Sequence, residues 1–518
     1  MIMFKIDKIL IGILVVYFLI LVSTINNPHH ADEATHSFVG MFISDFVKDF
    51  IKQPTLSFTK IYDYAISYMS YYPKVSLHYP PLPQSLFSLA YLIFGSSIQA
   101  SRLVIILMSV TFATLIYIFA YIHSKNKVIA LIAVLFVTST PILLNMSILA
   151  MQEIPFILFF TLTMLWLYII KGKKPRLKNF VILGLLTSLT VVTKWQAITI
   201  IPVLLFYTLL IERRLLKFVL LSLLIAVVLL SPYYLFLWKT NLLLVPLSAN
   251  VEGDPTDPTW LQLQGWAYYL NSLFNQQFIW PVGIIALVST ALYCIRKNKD
   301  WKFFATWILV IFLIMVFIHN KDARYTINYL PAFIIPTSYI VYNYSKKNGY
   351  HHIFVIFFIG LILGQFFISF INIPQGLRDV ESIAKFINEG EGNVLVHMNM
   401  GAESPFVFEI ARNGKFKQQV FRPCTVEFLN KTHEELLNDF NIKYIIVDKL
   451  KSGFTEKQID FSSYLLNRDF SKVKDFEQFA VFRYEKYTHA ENAIICNYIC
   501  ATREFVCSKF KTPSNALE

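Results

Sequence analysis

A chain of 518 residues that is 56% hydrophobic and 15% charged, with mean hydropathy +0.53, is too apolar for an ordinary soluble protein. Its formal net charge of +13 raises nucleic acid as a partner. That class is set aside because the basic residues of the apolar part fall in short loops between apolar segments, where they read as membrane topology signals. The chain is expected to be a polytopic membrane protein whose surroundings are a lipid bilayer.

The first apolar run, 9–25, follows Lys5 and Lys8. No small-residue cleavage site comes after it; Asn26-Asn27-Pro28-His29 does, so the run reads as a retained first span. Residues 26–100 then form a long loop. Phe38 to Ile51 and Phe58 to Tyr72 alternate apolar and polar positions like amphipathic helices lying on a membrane surface. Pro80-Pro81-Leu82-Pro83 breaks the chain, and Leu86 to Phe94 is apolar but too short to span.

Further runs of spanning length lie near 101–122, 128–144, 154–170, 179–193, 195–211, 217–238, 277–295, 303–318, 326–343 and 352–372. Together with the first they make about eleven transmembrane helices. With the N-terminus cytoplasmic, the inner loops collect Lys125 and Lys127, the basic residues from Lys171 to Lys178, Arg213, Arg214 and Lys217, those from Arg296 to Lys302, and Lys346 and Lys347. The outer loops hold fewer cations over far more residues, as the positive-inside rule requires. This bookkeeping also demands a break near Lys194, because a single span over 179–211 would reverse every later loop. A second long outer loop is expected over 239–276.

After Ile373-Pro374 charge returns. Asn393 to His397, Lys443 to Asp448 and Phe479 to Tyr484 read as buried strands, with Val380 to Ile387 and His433 to Phe440 as helices between them. Alternation of this kind predicts a small α/β domain over 374–488, outside the membrane because an odd number of spans precedes it. Residues 489–518 read as a disordered tail holding Cys496, Cys500 and Cys507; no Cys-x-x-Cys pair exists in the chain to suggest a zinc or redox motif.

Four polar clusters fall on the outer face of this topology. Asp32 and Glu33 stand together just beyond the first span, in His29-His30-Ala31-Asp32-Glu33-Ala34-Thr35-His36. Glu153-Ile154-Pro155 opens a span, where an acid suits the helix dipole and serves equally as a plain helix start. Thr193-Lys194 sits between two apolar runs, placed to bind phosphate or to snorkel to headgroups. His319-Asn320-Lys321-Asp322-Ala323-Arg324-Tyr325 concentrates cations at a helix start, and arginine's planar fork suits phosphate oxygens. Acids in two loops and cations in two others suit a phosphate-bearing substrate next to a base.

The order of these elements resembles the polyprenol-dependent GT-C glycosyltransferases, in particular the protein O-mannosyltransferase and aminoarabinose-transferase group. The matching residues run over about 1–345: Ala31-Asp32-Glu33-Ala34, His78-Tyr79-Pro80-Pro81-Leu82, Phe94-Gly95, Arg102-Leu103, Glu153-Ile154-Pro155, Thr193-Lys194, then Arg324-Tyr325 and Pro331. Glu153 stands where many members carry aspartate. No β-trefoil-like insertion of the eukaryotic mannosyltransferases is seen. The resemblance implies an inverting hexosyl or pentosyl transferase that takes sugar from a polyprenyl-phosphate donor to a hydroxyl or amine of a lipid, glycan or protein acceptor at the non-cytoplasmic face. It implies Asp32 as general base, Glu33 and Glu153 as residues that orient the acceptor or the base, Lys194, Arg324 and Tyr325 on the donor phosphate, and His36, Tyr79 and His319 near the acceptor or supporting its loops. His29, His30, His36 and the acids offer ligands to a divalent ion, yet no cofactor and no required metal is expected. A lipid-linked glycan flippase would show repeats and charges near mid-span, and a membrane scaffold would leave the four outer clusters without a purpose.

Overall fold

The structure, a computed structural model, describes residues 7–54, 57–73, 78–173, 176–239, 257–347, 351–373, 376–399, 402–450, 454–466, 469–486, 495–499, 504–508 and 513–516. The outer loop expected over 239–276 therefore lies outside the described residues from 240 to 256, as do Lys5, Lys174 and Cys500. The chain divides into two compact units: residues 1–25, 78–83 and 102–374, and residues 26–77, 84–101 and 375–518.

The first unit is helical. The apolar runs expected to span are mostly helical here, from Lys8–Ser23 through Ile98–Ser124, Glu153–Ile170, Leu177–Val191 and Leu216–Lys239 to His351–Ile371, but the run over 128–144 is two helices and those over 195–211 and 326–343 begin in 3₁₀ segments. Among the described residues, four helices are long and apolar enough to cross a membrane, or five when the bent pair Lys127–Ser139 and Pro141–Ser147 is one span. Such a composition places the chain in a membrane. Pro141 causes the 67° bend of that pair, since its ring cannot continue the preceding helix. Helix faces without protein neighbours stay apolar, as in Leu224, Val227 and Val228, or Ile353, Ile356 and Phe357. Inside, aromatic side chains such as Phe119, Phe160, Phe303 and Trp307 stack on one another.

The break demanded near Lys194 is present. Helix Leu177–Val191 ends, and a 3₁₀ turn, Trp195–Thr199, leads into helix Ile200–Leu210. Arg102, a residue of the Arg-Leu pair, is buried and donates from Nη1 to the carbonyl of Ile25 at 2.9 Å, satisfying a backbone group just past the first helix.

In the second unit a five-stranded sheet runs in the order β2-β1-β3-β5-β4. Its strands are β1 Asn393–His397, β2 Val420–Phe421, β3 Ile442–Asp448, β4 Phe470–Asp475 and β5 Phe479–Tyr484. β1 lies parallel to β2 and β3, whereas β5 lies antiparallel to β3 and β4. Helix Val380–Glu389 buries Val380, Ile383, Ala384 and Ile387, one stripe at helical spacing. The sequence grouped 26–100 with the spanning helices; most of it packs instead in this unit. Helices Ala31–Lys52 and Phe58–Tyr71 turn their aromatic faces to protein and not to lipid: Phe38, Phe42, Tyr64, Tyr68 and Tyr72 form one cluster with Phe416. The expected tail supplies a hairpin of β6 Ile495–Ile499 and β7 Glu504–Ser508. That hairpin packs on helix Phe58–Tyr71, and Asn497 donates to the carbonyls of Ser70 and Val420. An aromatic face that needs covering gives this stretch its structure. Cys424 is disulfide-bonded, whereas Cys294 is free. Helix Leu82–Phe94 buries Phe87, Ala90 and Tyr91 and leaves Leu89, Leu92, Ile93 and Phe94 exposed.

Candidate active site

In the first unit the polar residues picked out by sequence sit where regular helix gives way. Lys194 precedes the 3₁₀ turn Trp195–Thr199 in an extended conformation, with φ −160° and ψ 152°. Arg324 and Tyr325 lie in a second 3₁₀ segment, Ala323–Tyr329, that feeds helix Leu330–Lys347. Glu153 opens helix Glu153–Ile170, where Pro155 is tolerated because first-turn amides lack helical partners. Loosened backbone at these points lets side chains from distant stretches converge.

They converge on Glu153. Lys194 Nζ donates to Glu153 Oε1 at 2.7 Å, and both side chains are buried. Arg324 Nη1 lies 4.0 Å from the same oxygen. Asp322 fixes that arginine: it accepts from Arg324 Nε and Nη2, each at 2.7 Å, and from the Arg324 amide at 2.8 Å. The Tyr325 ring lies 5.3 Å from Lys194 Nζ. Burial, then the Asp322 charge, push the Tyr325 phenol up to about 12, so it remains a neutral hydroxyl at physiological pH. Two acids thus balance two cations in a partly desolvated space, where each charge acts more strongly than in water.

The Tyr-Pro-Pro-Leu element packs beside this cluster. Gln152 Nε2 donates to the Pro80 carbonyl at 3.4 Å, and the Leu82 amide donates to the Val192 carbonyl at 3.0 Å. Tyr233 hydroxyl holds the His78 carbonyl at 3.0 Å. Tyr79 is near enough to Tyr325 for its charge state to affect that phenol. His319 is half-buried in the turn after helix Trp301–Phe317. Sequence reasoning counted Lys321 among the cations of its loop without giving it a separate role, and overlooked Gln277. Lys321 Nζ caps helix-end carbonyls of Met315, Val316 and Ile318 at 3.0, 2.7 and 2.5 Å. Gln277 pins the Arg324 turn, donating to the Ala323 carbonyl at 2.8 Å and to Thr326 Oγ1 at 2.7 Å. Nothing in the last residue of Asn275-Gln276-Gln277, at the start of an apolar run, announces that task.

Asp32, Glu33 and His36 belong to the second unit. Helix Ala31–Lys52 starts with a capping box in which Glu33 Oε1 accepts from the His30 amide at 2.8 Å and His30 Nδ1 accepts from the Asp32 amide at 3.2 Å. Glu33 is fully buried by this duty, and Asp32 beside it is exposed. His36 Nδ1 meets Gln84 Nε2 at 3.1 Å. Helix Ser404–Gly414 braces the turn: Thr35 Oγ1 donates to Ser404 Oγ at 2.8 Å, and His29 Nδ1 stands 3.8 Å from buried Glu409. Burial pushes the Glu409 carboxyl up, and Arg412 opposes it. Among the described residues, no three or more His, Cys, Asp or Glu side chains gather as a metal site.

A family model described as dolichyl-phosphate-mannose-protein mannosyltransferase matches residues 78–237, a stretch that contains Tyr79, Glu153 and Lys194. An uncharacterized protein of Aquifex aeolicus (strain VF5) is 28% identical over 288 residues, 54% of this chain and 56% of that protein; the chain thus spans little more than half of that relative's length. ArnT from Cupriavidus metallidurans in the apo state superposes with a TM-score of 0.65 at 11% identity, covering 93% of this chain and 99% of that one. Its form bound to undecaprenyl phosphate gives 0.63 at 10% identity with the same coverage. The archaeal oligosaccharyltransferase AglB from Archaeoglobus fulgidus, in complex with an inhibitory peptide and a dolichol-phosphate, gives 0.54 at 12% identity over 85% of this chain and 69% of that chain. These superpositions, at 10–12% identity, show that the chain shares its fold with ArnT and AglB.

Proposed function

We propose that this chain is an integral-membrane inverting glycosyltransferase that moves a sugar from a polyprenyl-phosphate donor to a hydroxyl or amine of a lipid, glycan or protein acceptor. The observation that carries the reading is the convergence of Lys194 and Arg324 on buried Glu153. Such cations suit a leaving phosphate, because developing charge on its oxygens needs electrostatic stabilisation and no strong acid. The polyprenyl phosphates present with the ArnT and AglB structures support the choice of donor.

In this scheme Asp32, exposed in the first turn of its helix, takes the proton of the acceptor group. The acceptor's oxygen or nitrogen forms a bond to the anomeric carbon as the carbon–oxygen bond to phosphate breaks. The bonding pair leaves on the phosphate, against Lys194, Arg324 and the Tyr325 hydroxyl. Glu33 holds the turn that presents Asp32, Glu153 sets the Lys194 ammonium, and Tyr79, His36 and His319 support the surrounding loops. Eleven spans with a cytoplasmic N-terminus put the second unit on the non-cytoplasmic side, which the Cys424 disulfide supports because such bonds persist in oxidising compartments.

Purified protein incubated with a panel of polyprenyl-phosphate sugars and candidate acceptors, followed by mass spectrometry for released lipid phosphate, tests the reading. Release with at least one sugar, dependent on Asp32, is the expected result. A folded protein that releases none across the panel overturns it.

A further inference from the structure

The C-terminal part of the second unit grips the turn that carries Asp32. Just before helix Ala31–Lys52, His29 forms an isolated antiparallel bridge with Leu377, whose amide donates to the His29 carbonyl at 2.8 Å. The neighbouring Gly376 runs so close to this turn that a Cβ there would collide with the carbonyls of Pro28 and His29. One turn into the helix, Thr35 Oγ1 donates to Ser404 Oγ at 2.8 Å. Asp32 stands between these two anchors, three residues from each. Residues three apart are neighbours on a helix surface, so the flank held by Ser404 is the one that bears Asp32.

The grip is itself well anchored. Ser404 is fully buried at the start of helix Ser404–Gly414. Glu403, just before it, accepts from Nε of Arg422 at 2.6 Å, and Arg422 is the residue that follows β2. Farther along the same helix, buried Glu409 is held by Arg412 and stands 3.8 Å from His29 Nδ1. The capping box of His30 and Glu33, by contrast, lies wholly within the helix start, so it fixes the shape of the first turn but not its place. Helix ends otherwise open at little cost in free energy. A base works only within hydrogen-bond reach of the proton it takes.

We propose that Gly376, Leu377 and Ser404 are positioning residues that set where the Asp32 carboxylate stands. The proposal rests on the glycosyl-transfer reading above and deepens it: the C-terminal part of the chain governs proton removal and not donor binding.

The full chain in detergent is compared as wild type, Ser404→Ala, Gly376→Ala and Ile445→Val, the last a loss of one buried methyl group within β3. Thermal unfolding first establishes which variants fold, and Thr35→Val replaces whichever clamp variant does not. Hydrogen exchange read by mass spectrometry is expected to speed up about tenfold over the first two turns of helix Ala31–Lys52 in both clamp variants, and to keep the wild-type rate in Ile445→Val. In the transfer assay kcat is expected to fall about tenfold for Ser404→Ala and about 100-fold for Gly376→Ala, the scale for moving a catalytic group by about 1 Å. KM for donor is expected to stay unchanged. Ile445→Val is expected to keep the wild-type kcat, although it too lowers stability. Unchanged exchange in both clamp variants overturns the clamp. Faster exchange with wild-type kcat overturns the positioning role, as does an equal loss of kcat in Ile445→Val. A wild type that transfers from no donor sinks the transferase reading instead, and the exchange rates then decide the clamp by themselves.

Discussion

Lys194 and Glu153 form a buried ion pair 2.7 Å long at the point where helix Leu177–Val191 gives way to a 3₁₀ turn. Neither charge is shielded well by water, so each depends on the other. Lys194→Ala takes from the buried Glu153 carboxylate its 2.7 Å partner, leaving the Arg324 guanidinium at 4.0 Å, and is expected to destabilise the protein by about 3 kcal/mol. Replacing both, as Lys194→Met with Glu153→Leu, is expected to recover most of that loss while leaving transfer abolished. Thermal unfolding of the three variants in detergent decides the matter; a double variant as unstable as Lys194→Ala would show that packing and not charge holds the junction.

Arg324 is held in place before any substrate arrives, because Asp322 takes its Nε, its Nη2 and its backbone amide. Arg324→Ala removes the cation and its fork, and the affinity for a polyprenyl-phosphate sugar is expected to fall by about 1.5–3 kcal/mol, the scale of a hydrogen bond to a charged group. Arg324→Lys keeps the charge but loses the Asp322 clamp, so it should recover only part of the affinity. Equal binding by wild type and Arg324→Ala, measured by titration, removes this residue from the phosphate site.

The adjacent acids Asp32 and Glu33 look alike in sequence and differ in structure. Asp32→Asn is expected to abolish sugar transfer with folding and donor binding kept, since a carboxamide cannot take the proton assigned to the Asp32 carboxylate in the proposed scheme. Glu33→Ala breaks the capping box with His30 and is expected to cost about 1 kcal/mol of stability, with reduced transfer that follows the loosened turn. Turnover by purified Asp32→Asn at the wild-type rate would falsify the assignment of the base.

The contrast between these two acids shows where reading a sequence stops. Asp32 and Glu33 were singled out by their position after the first apolar run, but histidine is not among the usual N-cap residues, so the His30 capping box that separates their roles gave no signal. β1 and β5 were legible to the residue because each carries a buried apolar run, Val394 to Val396 in the one and Phe479 to Val481 in the other. β4 was missed because Phe470–Asp475 carries Ser471, Lys472, Lys474 and Asp475 on an exposed edge, where charge guards against aggregation and hides the strand pattern. Glu153, Lys194 and Arg324 were each chosen from local chemistry. Their meeting is a contact between residues 41 and 171 positions apart, and no local pattern encodes it.

Lys321 gives the cluster's neighbourhood a pH signature. Its ammonium caps the last carbonyls of helix Trp301–Phe317, yet burial lowers its pKa to about 8, with the Asp257 charge opposing the shift. An unfolded lysine keeps its proton to about 10.4. Between these values the unfolded chain binds the proton and the folded chain does not, so stability rises with pH across that window. Below about pH 8 the penalty of burying the charged form is present in full. The Lys321→Met variant has no group to titrate at this position. The difference in unfolding free energy between wild type and Lys321→Met is therefore expected to shift in favour of the wild type from pH 8 to 10, and to be flat from pH 6 to 7. Denaturant titrations of both proteins at each pH check it. A difference that is flat throughout would mean that the three carbonyls hold the ammonium charged and outweigh its burial.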